Sequence, residues 1–149
     1  MTKVPSNVKT LSALGLLPFL PGIVGTIQFA FITVQLNELL IEATLVYAAL
    51  ILSFLGGCIF GFETLALGAP DNKRLWLSIT PTIWALISLS LPNFEALTLA
   101  LGFFIMYELD RRTTIAKISP IWWLSLRLPL NGLVILALVV IGFYGLHFG

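Results

Sequence analysis

Charge is the scarcest thing in this sequence. Only 10% of its 149 residues are Asp, Glu, Lys or Arg, whereas a soluble domain carries about 25%. The deficit runs the whole length, which argues for a polytopic membrane protein. A net charge of +1 supplies no basic field for nucleic acid. Cysteine occurs once, as Cys58, so no intrachain disulfide forms. Histidine occurs once, as His147, so one chain offers no histidine pair for a haem or a metal. There is no nucleotide-binding loop, no Gly-x-Ser-x-Gly and no carboxylate pair in the middle of an apolar run. These absences lead to the expectation of a non-enzymatic protein without a cofactor.

What is present is apolar: 58% of the residues, with a mean hydropathy of +1.02. The polar start, with Lys3 and Lys9, resembles the charged region of a signal peptide, but no small-x-small cleavage pattern follows. The apolar run continues through Phe31 and reads as a retained helix. Apolar runs and turn residues predict an all-α integral membrane protein, a single domain over 1–149. Its five transmembrane helices are placed at about 11–34, 40–65, 75–91, 94–109 and 130–147. Gln35–Leu39 reads as a short connection, and Asn93 as an N-cap. Ile121–Leu128 reads as a short interfacial segment, ended by Pro129. Trp76, Trp122 and Trp123 are expected as interfacial anchors.

Prolines mark two spans. Pro18 and Pro21 predict a kink near Pro21, serving either packing or an unwound binding segment. Pro81 falls mid-span, and its neighbours Thr80 and Thr82 are placed to satisfy a freed carbonyl. All eight Lys and Arg residues sort to one side if there are five spans. That predicts an inside N-terminus and an outside C-terminus.

Two sets of residues stand out. Ala49, Ser53, Gly57 and Gly61 recur every four positions, a row that reads as a helix-packing groove. Glu63 near the end of the second span and Arg127 before the fifth lie on the same membrane face and are expected to pair, with Lys73 and Arg74 the other candidate partners of Glu63. Such a pair serves as a clamp or as a proton or anion site; otherwise the two groups snorkel separately. Asn131 is expected to bridge helices, Cys58 to fill space, and Asp110 to sit at a solvated helix end beside Arg111 and Arg112.

The segment Tyr47–Gly57, followed by Phe60-Gly61, resembles the signature of the transmembrane protein 69-like family. Leu16-Leu-Pro18-Phe and Leu126-Arg127-x-x-Leu130 extend the likeness over about residues 11–145. The sequence departs from the family pattern at Phe60, where the family carries tryptophan, and at Glu63, where it carries an apolar residue. The resemblance implies a small multi-span protein of bacteria or mitochondria, and supplies no activity, substrate or cofactor.

The function expected from these features is that of an accessory, assembly or scaffold subunit of an energy-converting complex. Its partners would be membrane lipids and either other membrane-protein subunits or a second copy of itself. Its location would be the bacterial inner membrane or, alternatively, the mitochondrial inner membrane. Two other classes stay open: a small homo-oligomeric transporter or channel, and a lipid- or quinone-binding protein.

Overall fold

A computed structural model describes residues 3–27, 33–66 and 70–148. Residues 28–32, the far end of the first expected span, and Gly68 and Ala69 of the second loop lie outside them. The described residues form α1 (Ser6–Leu14), a 3-10 turn (Leu17–Phe19), α2 (Leu20–Thr26), α3 (Val34–Leu65), α4 (Asn72–Leu89), α5 (Glu95–Ile115) and α6 (Trp123–Phe148), with no strand among them. Three stretches are long and apolar enough to cross a membrane: Ser6–Thr26, Val34–Leu65 and Trp123–His147. The helices that stand where the third and fourth spans were expected, α4 and α5, are not among these.

The expected boundaries shift for physical reasons. The first break falls before Pro21, at Gly15 and the 3-10 turn that holds Pro18. Pro21 sits in the first turn of α2, where its missing N–H has no intrahelical partner to lose. The carbonyls freed at the break are taken by α3: the Tyr47 hydroxyl donates to Gly15 at 2.9 Å, and Thr44 Oγ1 donates to Pro18 at 3.2 Å. The expected connection at Gln35–Leu39 is helical, because Thr33 caps α3 by accepting from the Leu36 N–H. Asn93 is not an N-cap; it takes a left-handed turn conformation with φ of 68°, and Phe94 occupies the cap position.

Pro81 lies inside α4, and Thr80 Oγ1 donates to the Leu77 carbonyl at 2.8 Å. That is the carbonyl the proline leaves without its i+4 donor, so the threonine substitutes for the lost bond. Pro129 does not end an interfacial segment. It lies within α6, which runs unbroken from Trp123. On the same helix Arg127 Nη2 donates to Asn131 Oδ1 at 3.3 Å, a side-chain clasp across the turn that holds the proline.

α3 and α4 run antiparallel, as Ser53 with Thr82 and Glu63 with Asp71 show, and so do α5 and α6, as Phe103 with Asn131 and Asp110 with Arg127 show. Leu52, Leu99, Phe103, Met106 and Leu138 fill the core, each almost fully buried. In lipid such a core holds by van der Waals contact and inter-helix hydrogen bonds, since leaving an apolar solvent gains little. One end of the bundle gathers Lys73, Arg74 and Arg112 around a cavity of about 260 Å³. The other gathers Glu38, Glu42 and Glu95 around one of about 460 Å³.

A candidate site where Arg127 meets an apolar cleft

Asp110 is the centre of the polar chemistry inside the fold. The fourth span, expected to end at 109, continues as α5 through Ile115. Glu108 supports the added turns by accepting from Arg111 at 2.7 Å and from Arg112 at 3.1 Å, pairs three and four residues apart. The end is closed by Lys117 in a left-handed conformation (φ 59°). Its N–H reaches the Thr114 carbonyl, and the Ile118 N–H reaches that of Thr113. This is the Schellman arrangement, most often built on glycine.

Because the helix continues, Asp110 is an interior residue with no solvent exposure. Oδ1 accepts from Trp123 Nε1 at 2.8 Å, and Oδ2 accepts from Arg127 Nε at 2.9 Å. The Arg127 side chain is itself 8% exposed and its guanidinium carbon lies 6.0 Å from the Trp123 ring centroid. Asn131, bonded to Arg127, donates through Nδ2 to the Phe103 carbonyl at 3.1 Å, the inter-helix bond expected of it. The arrangement ties α5 to α6 through five polar groups. A buried ion pair of this sort offsets its desolvation only when the remaining donors and acceptors are also satisfied.

Glu63 and Arg127 are therefore not partners. Glu63 is buried at the end of α3, where Oε1 accepts from the Asp71 N–H at 2.6 Å and Oε2 from Arg74 at 3.4 Å. A carboxylate at a helix C-terminus is disfavoured by the dipole, and the start of α4 supplies the offsetting positive field. The α3–α4 connection is short, so this partner is close in the chain. Arg127 finds its carboxylate in the same way, on the helix that precedes its own.

The small-residue row also divides. Ala49 is buried and Ser53 hydrogen bonds Thr82 at 2.8 Å, but an added Cβ on Gly57 or Gly61 would meet nothing within 4 Å. The close approach is instead at Gly56, whose added Cβ would collide with the Ser78 carbonyl of α4. A row taken every four residues drifts about 40° per step, so it leaves a straight contact within two steps. The anchors divide too: Trp76 is exposed, whereas Trp123 is half-buried, with Phe62 edge-on to its ring at 5.0 Å. Trp122 leans on Trp123 and is half-buried as well.

Beside the polar centre lies a cleft of about 430 Å³ between α1, α3 and α6. Its walls are apolar apart from Ser12 of α1, Cys58 of α3, and Trp123 and Arg127 of α6. No residue of α1 is buried, so this helix stands at the rim and leaves the space unfilled. The volume falls in the range of small-molecule sites. Sequence reading missed both Asp110 and the cleft. A signal for Asp110 was available: Leu99, Phe103, Met106, Asp110 and Thr113 alternate steps of four and three, and all are buried.

With helix as its only regular secondary structure among the described residues, and apolar stretches long enough to span, the chain has the features of an integral membrane protein. Residues 4–143 match the family described as "Protein of unknown function (DUF3429)", and the chain belongs to that family. No curated protein and no solved structure matches it.

Proposed function

We propose that this chain is a non-enzymatic membrane subunit that packs against other membrane proteins, as an accessory, assembly or scaffold component. The observation that carries this reading is the use of the buried charges. Asp110 and Arg127 serve each other, and Glu63 serves Arg74 and the start of α4. Pairs used this way hold helices together, which is the clamp role rather than the transport role. The outward strip at Gly57 and Gly61 is compatible with approach by another helix. In this reading the helices form five spans with the N-terminus inside. The clustering of Lys73, Arg74 and Arg112 at one end and of Glu38, Glu42 and Glu95 at the other supports that sorting. The membrane is a bacterial inner membrane or a mitochondrial inner membrane, and the transmembrane protein 69-like resemblance belongs to the same reading. Purification of the tagged chain in mild detergent, followed by mass spectrometry, tests it. A stoichiometric membrane partner is the expected result; the chain alone or as a lone homodimer would overturn it.

The cleft favours a second reading, that the protein holds a membrane lipid or quinone. An apolar space opening beside a buried guanidinium suits an amphipathic occupant.

A further inference from the structure

We infer that the cleft between α1, α3 and α6 takes a long-chain lipid with an uncharged, carbonyl-bearing head, and that Arg127 Nη1 donates to its carbonyl oxygen. This rests on the second reading above and specifies the head group that reading leaves open.

Three observations lead to it. First, the guanidinium is only partly used. Nε donates to Asp110 and Nη2 to Asn131, while Nη1 has no partner among the described residues. The side chain is 8% exposed and lines the cleft. Because Arg127 lines the cleft, a ligand oxygen there can accept a charge-assisted hydrogen bond from Nη1.

Second, the charge is already cancelled. Asp110 Oδ2 lies 2.9 Å from Nε and is itself fully buried. An anionic head brought to Nη1 meets the Asp110 carboxylate behind the guanidinium. It would give up hydration without gaining an uncompensated cation. A neutral carbonyl gives up far less hydration and still accepts a charge-assisted hydrogen bond. The pair thus selects for a polar acceptor and against a net negative charge.

Third, the rest of the space is suited to a hydrocarbon chain. From Cys58 and Arg127 the lining runs through Phe54 and Leu130 to Ile51 and Val134, all apolar. Water finds few polar partners along that path and is not held there.

Two kinds of membrane molecule have this chemistry: quinones with an alkyl or isoprenoid tail, and neutral glycerides with ester carbonyls. Binding to the purified full chain in detergent is followed by tryptophan fluorescence and by thermal shift, with probes compared at equal mole fraction. The probes are a decyl-substituted benzoquinone, dioctanoylglycerol, decylbenzene as the headless control, and decyl phosphate as the anionic control. At least one carbonyl probe should bind about tenfold or more tightly than decylbenzene, as expected for one hydrogen bond to a charged donor. It should also outcompete decyl phosphate. Whichever carbonyl probe binds more tightly identifies the source.

Ser12→Trp fills the cleft from α1, which contributes no buried residue, and leaves the Asp110–Arg127 pair untouched. It should abolish binding without loss of the folded protein. Equal binding of all four probes, all lost in Ser12→Trp, would overturn the carbonyl inference while leaving the lipid-holding reading intact. Tighter binding of decyl phosphate would overturn the inference as well. Binding of no probe, or binding unchanged by Ser12→Trp, would overturn both.

Discussion

Arg127 Nε lies 2.9 Å from Asp110 Oδ2, and this pair, seventeen residues apart in sequence, joins α5 to α6. Removing one partner leaves the other buried and unmatched. Asp110→Asn should therefore lower stability by about 3–5 kcal/mol while Arg127 remains. In an Arg127→Met background the same change should cost much less. A double-mutant cycle read by thermal unfolding in detergent measures the difference. The same cycle between Glu63→Gln and Arg127→Met should be close to additive, since each residue has its own partner. Strong coupling there would contradict the two separate pairs.

Gly56 and Gly57 are adjacent but opposite in consequence. A methyl group on Gly56 meets the Ser78 carbonyl, whereas one on Gly57 meets nothing within 4 Å. Gly56→Ala should destabilise the chain by about 1–3 kcal/mol through overpacking. Gly57→Leu should stay within about 0.5 kcal/mol, as a surface change does. Comparing melting temperatures of the two variants, each in the absence of other proteins, decides this. Reversal of their order would place α4 on the wrong face of α3.

Lys117 holds φ of 59° at the end of α5. A side chain in that conformation costs about 1–2 kcal/mol, part of which glycine recovers. Lys117→Gly should raise stability by about 0.5–1 kcal/mol after allowing for the greater freedom of glycine in the unfolded chain. A lower melting temperature would mean that α5 does not end in this turn.

The orientation is open to a direct measurement. If the one-sided positive residues set the orientation, a reporter inserted near Asn72 should be found inside and one fused after Gly149 outside. Both reporters on one side would rule out the five-span arrangement, which places three spans between them.

The sequence by itself determined the class of protein and the approximate placement of the helices, because a charge deficit over the whole chain is a property of composition. It also indicated that a threonine beside Pro81 would serve the broken turn, which Thr80 does while Thr82 bonds Ser53 of α3 instead, and that Asn131 would bridge two helices. Both are short-range consequences of a proline or a buried amide needing partners. Tertiary structure alone decided which charges pair. Glu63, Asp71, Glu108 and Asp110 against Arg74, Arg111, Arg112 and Arg127 allow more than one matching, and sequence distance from a helix end does not choose between them. The choice was made by the length of α5. Six further residues of helix beyond Leu109 carry Asp110 onto the core stripe below Met106, where Trp123 and Arg127 close over it. Tertiary structure also decided the cleft. Its walls come from helices far apart in the chain, and its volume depends on how loosely α1 lies against α3 and α6, which no local pattern encodes.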